Sequence, residues 1–233
     1  MEPHDTSAGQ PNHTGRRVIL AGATGLVGRE LLNLLLEDPT VEVVHAFGRR
    51  PPGIDHPKLL AHVVDFASLS LMPPADEVYL ALGTTIKVAG SQAAFRAVDV
   101  EANLAMARAA LAAGARRVGL VSAMGADARS RVFYNRCKGE LDDALKGLKP
   151  DALVVARPSL LMGVRTALGQ PARPGEWFGQ ILSPFLSRIL PANLRPVRAR
   201  DVAKALSLRV PQAIGTEILP SGTLTSLSLG AQG

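Results

Sequence analysis

The sequence predicts an α/β protein built on a doubly wound parallel sheet, with a small C-terminal region packed on the same domain. Two observations carry this. From Arg16 to about Leu161, short β-branched apolar runs alternate with longer helical patterns. Those runs are continuously apolar instead of alternating, as expected for strands covered on both faces by helices.

Taken in order, RRVILAG (16–22) reads as the first strand. GLVGRELLNLLLED (25–38) has apolar residues at helical spacing and stops before Pro39, so it reads as the first helix. VEVVHAF (41–47), HVVDF (62–66) and EVYLALG (77–83) read as strands two to four. SQAAFRAVDVEANLAMARAALAAG (91–114) predicts one long helix closed by Gly114. RRVGLVSAM (116–124) is a fifth strand, FYNRCKGELDDALKG (133–147) a helix and DALVVARP (151–158) a sixth strand. Right-handed crossovers between such units give a Rossmann-type sheet. The expected organisation is a disordered tail over 1–15, a dinucleotide-binding domain over 16–161, a substrate or lid region over 162–222, and a frayed tail over 223–233. Within the third region, residues 169–196 carry an apolar stripe interrupted by Pro184, which suits either a lid or a helix pair packed on the core.

Composition narrows the function. With 233 residues and 47% hydrophobic content the chain can form a large core without staples, and its single cysteine, Cys137, excludes an internal disulfide framework. No apolar run reaches the roughly 18 residues of a membrane span. The net charge of +6 suits a phosphorylated ligand, whereas the nine aromatics are not interleaved with the arginines, so no nucleic acid is expected. The five histidines show no metal-ligand spacing, and no metal is expected. High Arg and Ala content suggests a cytoplasmic protein.

The first motif is Gly22-Ala-Thr-Gly25-Leu-Val-Gly28, between the first strand and first helix. A pyrophosphate needs backbone amides and the positive end of a helix, with no side chain in the way, so glycine is required where the backbone comes close. Thr24, Leu26 and Val27 complete the expected contact set. At the end of the second strand an NAD site usually places an acid against the ribose hydroxyls. Here the sequence is Phe47-Gly48-Arg49-Arg50, and paired guanidiniums suit a 2′-phosphate. NADP (NADPH) is therefore expected over NAD. Asp65, followed by Phe66, either reaches the adenine or is a turn residue.

The second motif is Ser122, at a strand end, with Tyr134 and Lys138 on one helix face at i and i+4. Carbonyl reduction by hydride transfer leaves an alkoxide that a phenol can protonate. A nearby ammonium, Lys138, stabilises the resulting phenolate and would also bind the cofactor by holding the nicotinamide ribose, and a serine hydroxyl orients the carbonyl. Tyr79 lies mid-strand and reads as core, and Cys137 reads as inert.

GATGLVG (22–28), FGRR (47–50), VVDF (63–66), LGTT (82–85), KVAG (87–90), AVD (97–99), SAMGAD (122–127), YNRCKGE (134–140), ARP (156–158), RPGEW (173–177) and RDVAKAL (200–206) together resemble the short-chain dehydrogenase/reductase superfamily in its atypical or extended branch, specifically the Tat-interacting-protein-like oxidoreductases. The resemblance implies NADP(H) binding and a catalytic Ser122, Tyr134 and Lys138. It also implies that Leu82, Gly83 and Thr84 run along the cofactor, with Arg157, Pro158 and Ser159 flanking the nicotinamide. One departure is Asp99, where the superfamily often has an asparagine that relays a proton; Asn103 follows one turn later.

Two functions stay open from sequence. One is an NADP(H)-dependent oxidoreductase acting on a small carbonyl or alcohol, with Leu160, Met162, Trp177, Phe178 and Phe185 suiting an apolar pocket. The other is an NADP(H)-binding sensor or scaffold that regulates a protein partner. A homodimer is compatible with either.

Overall fold

The computed structural model describes residues 15–69, 71–162 and 191–230. The expected N-terminal tail and most of the expected lid, including Trp177, Phe178, Phe185 and the RPGEW stretch, lie outside the described residues.

Seven parallel strands form one sheet in the order β3-β2-β1-β4-β5-β6-β9. They are β1 (Arg16–Ala21), β2 (Val41–Gly48), β3 (Leu59–Val63), β4 (Glu77–Leu80), β5 (Arg117–Val121), β6 (Ala152–Arg157) and β9 (Gly215–Pro220). A separate pair, β7 (Leu161–Met162) and β8 (Val197–Arg198), follows the sixth strand. The helices are α1 (Leu26–Glu37), α2 (Ile86–Ala89), α3 (Gln92–Arg96), α4 (Asn103–Ala112), α5 (Phe133–Gly147), α6 (Ala199–Arg209) and α7 (Ser221–Gly230), with a π-helical turn over Ala97–Ala102. From β1 the chain steps outward to β2 and β3, then crosses back to start the other half at β4. The carboxyl ends of β1 and β4 therefore diverge, opening a crevice at this switch point.

Alternate residues of each inner strand feed opposite cores. Val18, Leu20, Val44, Ala46, Val154 and Ala156 pack under α1 and α6, while Ile19, Ala21, Phe47, Val78, Leu80, Leu120 and Val155 pack under α4 and α5. Both faces are dry, which explains the uninterrupted apolar runs. At the opposite end of the sheet from the crevice, the Tyr79 hydroxyl donates to Glu77 (2.9 Å), which also accepts from Arg16 (2.7 Å). Burial and the Glu77 charge hold the Tyr79 phenol well above its ordinary range, so it is a core residue as expected.

Several expected boundaries move. The third strand forms over Leu59–Val63 instead of 62–66, because its register is set by pairing with Val44–Gly48 and Asp65 already closes a turn. This is an edge strand, with Leu60 and Val63 exposed, so its hydrophobic pattern is a weak guide. The fourth strand ends at Leu80 instead of running to residue 83. The long helix of 91–114 is interrupted by the π-helical turn. The expected frayed tail from Thr223 is instead helix α7 to Gly230, with Leu224 buried and the Ser228 hydroxyl donating to Asp201 (2.8 Å). Among the described residues no helix is long and apolar enough to cross a membrane.

His45 on β2 and His62 on β3 touch at 3.0 Å between Nδ1 and Nε2, and His62 stacks on Phe47. One ring must donate and the other accept, so the contact needs a neutral imidazole. Burial holds both below the ordinary histidine range, with His62 and Arg17 adding to the effect at His45. The unfolded chain then takes up protons that the folded chain refuses. This contribution to stability is complete above the ordinary value of about 6.5 and declines as pH falls below it. Denaturant midpoints should drop between about pH 7 and pH 5, and a His45→Gln/His62→Gln protein should show a flatter profile. Equal slopes for the two proteins would contradict the assignment.

Candidate functional site

The glycine turn joins β1 to α1 at the switch point. Gly22 has φ +89°, and a Cβ there would lie 2.6 Å from the Ala81 carbonyl oxygen. A Cβ on Gly28 would lie 2.0 Å from the Gly22 carbonyl oxygen. The turn is closed by the Gly25 amide donating to Gly22 O (2.9 Å). Gly25 is the N-cap of α1 and supplies no side-chain cap, and the first turn holds no acid. The opening amides thus have no side-chain cap or first-turn acid competing for an anion. Thr24 and Leu26 are half-buried around this turn and Val27 is buried. These features fit a dinucleotide pyrophosphate.

At the end of β2, Arg49 and Arg50 are exposed, and neither is in an ion pair among the described residues. Asp65 is exposed and its carboxylate accepts from the Ala67 amide (3.0 Å), so it acts as a turn residue; Phe66 packs on the core. After β4, Leu82, Gly83 and Thr84 form an irregular segment along the crevice. Asn103 donates to Leu82 O (3.1 Å), and the Thr84 amide donates to Asp99 (2.7 Å), pinning that segment to the π-helical turn. Asn103 also donates to the carbonyls of Val98 (3.3 Å) and Asp99 (3.1 Å). Its amide therefore fills the widened turn, a structural use that leaves no donor for proton transfer.

Ser122 directly follows β5, its amide donating to Ala156 O (2.8 Å). Tyr134, Lys138 and Asp142 follow at successive turns of one face of α5. Tyr134 is 37% exposed and its ring lies against Phe95 (5.7 Å between centroids), whereas Lys138 is buried beneath it. The Lys138 ammonium lies 2.8 Å from Asp99 Oδ1. Burial opposes its charge, but the carboxylate of Asp99 and the neighbouring phenol outweigh that and raise Lys138 above its ordinary range.

Below them, Asp142 is fully buried and accepts from Arg157 Nη2 (2.8 Å) and Nε (3.1 Å) through one oxygen. The Ser122 hydroxyl lies beside this carboxylate without closing a hydrogen bond, so Ser122 Oγ and Asp142 Oδ1 are both left without a partner. Burial pushes the Asp142 carboxyl up, against the pull of Ser122 and Arg157. Arg157 is thus committed to Asp142. Pro158 is buried, and Ser159 donates through its amide to Ser221 (2.8 Å) and through its hydroxyl to the Arg195 carbonyl. The site therefore brings Tyr134, Lys138 and Ser122 into one neighbourhood. It adds Asp99 and Asp142, which the sequence reading left without a role as charge partners. The i+4 spacing from Lys138 to Asp142 was a signal for the second; nothing local announced the first. Cys137 is buried in the core under α5, and burial raises its thiol, in keeping with inertness.

Residues 17–135 match the family described as semialdehyde dehydrogenase, NAD binding domain. The protein fmp52-1 of Aspergillus terreus, named mitochondrial, is 33% identical over 200 residues, covering 81% of this chain and 84% of that protein. The fmp52 protein of Emericella nidulans, also named mitochondrial, is 32% identical over 182 residues, covering 74% and 76%. The chain belongs to the FMP52 family. The fold is shared more widely at low identity. An oxidoreductase of the short-chain dehydrogenase/reductase family from Burkholderia thailandensis superposes with a TM-score of 0.62 at 18% identity, covering 94% of this chain and 97% of that one. MoeE5, solved with UDP-glucose and NAD, superposes with a TM-score of 0.65 at 17% identity, covering 93% and 82%. This FMP52-family chain therefore carries an NAD-binding Rossmann domain with an oxidoreductase-like fold. The cytoplasmic expectation is overturned, because its curated relatives are named mitochondrial proteins. Compartments are read from targeting segments, so bulk Arg and Ala content could not carry that information.

The glycine contacts give a direct test. Gly28→Ala forces the turn apart at the Gly22 carbonyl, and calorimetry should show cofactor affinity reduced at least about tenfold, together with a lowered melting temperature. Unchanged affinity would contradict the placement of the pyrophosphate.

Proposed function

We propose that this FMP52-family protein is an NADP(H)-dependent oxidoreductase of the Tat-interacting-protein-like branch, moving hydride to or from a small carbonyl or alcohol. The observation that carries the reading is an exposed phenol, Tyr134, one helical turn from a buried ammonium, Lys138, on the same face of α5. When bound, the nicotinamide supplies or accepts the hydride. The Tyr134 hydroxyl gives its proton to the alkoxide oxygen, and the Lys138 charge stabilises the phenolate that remains. Ser122, which directly follows β5 and has a hydroxyl with no partner, is the group to hydrogen-bond the carbonyl oxygen. Gly22, Thr24, Gly25, Leu26, Val27 and Gly28 hold the pyrophosphate, Leu82 to Thr84 line the path, and Pro158 and Ser159 close the nicotinamide end.

The cofactor choice has support on both sides. MoeE5 was solved with NAD, as was WbmG from Bordetella bronchiseptica. In this chain Arg49 and Arg50 after β2, in no ion pair among the described residues and with no acid beside them in the sequence to meet the ribose hydroxyls, favour the 2′-phosphate. The buried position of Ser122, 4% exposed, favours the second reading, a cofactor-bound regulator with little turnover.

Calorimetry with NADPH and NADH, on wild type and on Arg49→Ala/Arg50→Ala, should show NADPH binding at least about tenfold tighter and that preference lost in the variant. Equal affinities in wild type would leave an NAD site. On a carbonyl and alcohol panel, Tyr134→Phe should lower turnover by about 10²-fold or more with cofactor affinity kept. Turnover unchanged by the substitution would remove the acid role, and cofactor binding without turnover on any panel member would favour the regulator.

A further inference from the structure

Asp99 sits in the π-helical turn with 1% of its surface exposed. Both of its carboxylate oxygens are committed. Oδ1 lies 2.8 Å from Lys138 Nζ, and Oδ2 accepts from the Thr84 amide at 2.7 Å. One carboxylate thus joins the amine beneath the phenol to the segment that follows β4. The widened turn brings Asp99 and Asn103 inward together, and the second hydrogen bond to that segment, from Asn103 to Leu82, holds the same joint.

We propose that Asp99 is the positioning residue of this site: it holds the Lys138 side chain as a charged ammonium under Tyr134 and ties it to the backbone of Leu82 to Thr84. This rests on the reading that Tyr134 and Lys138 work as a pair.

The surrounding charges leave Asp99 this task. From α5 itself, Tyr134 and Asp142 face Lys138, but Asp142 is taken by Arg157 from β6. From α3, Arg96 is turned away to Glu140 and Glu101. Burial without a counter-ion strips the proton from a lysine, in documented cases down to neutral pH and below. With Asp99 in contact the balance is reversed, and Lys138 is held charged above its ordinary range despite its burial.

The test reads the phenol in the cofactor-free protein by near-ultraviolet absorbance of tyrosinate. The chain has two tyrosines, and Tyr79, fully buried and held far above its ordinary range, is silent, so the signal belongs to Tyr134. Asp99→Asn keeps the shape and an acceptor for the Thr84 amide but removes the charge. Lys138 then sheds its proton, and tyrosinate should appear at a pH higher than in wild type by about one unit or more. Lys138→Met should give the same displacement, and Asp99→Asn/Lys138→Met no more than either alone. If Lys138→Met displaces the curve while Asp99→Asn leaves it in place or moves it to lower pH, the proposal falls and the Tyr–Lys pairing stands. If neither displaces it, the pairing falls and takes the proposal with it. Should Asp99→Asn fail to fold, nitrogen NMR of the wild-type lysines decides. Of the six lysines, Lys138 should keep its ammonium signal after the other five have lost theirs, and loss of that signal with or before the others overturns the proposal.

Discussion

The close approach of two backbones at the switch point governs the rest of this molecule. The turn after β1 lies against the end of β4 so tightly that a single methyl at Gly22 would fall on the Ala81 carbonyl, and one at Gly28 on the Gly22 carbonyl. That contact ends β4 early, at Leu80, and sends residues 81–85 along the crevice without regular structure. It also aims the uncapped first turn of α1 at the same space. A wider turn would move the opening amides of α1 away from the ends of β1 and β4. Gly22 and Gly28 are thus the condition for this close approach, and the sheet order supplies the divergence of the chain beside it.

Beneath the crevice lies a second constraint, the pairing of buried charge. Lys138 with Asp99 and Arg157 with Asp142 form two ion pairs along one face of α5, and each joins an element that the sheet alone would leave independent. Desolvating such groups is expensive, and a pair can be net neutral for stability, so their presence is better explained by position and charge than by folding free energy. The π-helical turn belongs to the same account. It interrupts a helix that could have run unbroken, and Asn103 spends its amide on the carbonyls so exposed. Such turns often mark functional sites.

Much of this was legible in the sequence because it rests on local rules. Strands buried on both faces announce themselves as continuous apolar runs, and β1, β2, β5 and β6 form within a few residues of their expected limits. Helix α5 spans the residues its pattern indicates, and the i, i+4 relation of Tyr134 to Lys138 follows from helical geometry alone. What escaped depends on partners distant in the chain. The edge strand β3 takes its register from β2, and β9, with Ile218 exposed and Leu219 buried, pairs along its length with the open edge of β6. Helix α7 depends on docking of Leu224 and on Asp201. Asp99 looked like a departure from an asparagine relay, yet its partners, Lys138 and Thr84, lie 39 and 15 residues away. Asp65 takes the turn role that its sequence left open beside the adenine, whereas Arg157, expected to flank the nicotinamide, is held in an ion pair that no spacing rule reveals.

On the proposed function, the glycine turn and the Tyr134–Lys138 face of α5 address one ligand in one cleft. A crystal structure of the protein with bound NADP tests it most directly. The pyrophosphate should lie on the amides that open α1, the nicotinamide ribose against the Lys138 ammonium, and the Tyr134 hydroxyl beside the reactive carbon of the nicotinamide ring. A dinucleotide seated on the glycine turn with its nicotinamide directed away from α5 would contradict it.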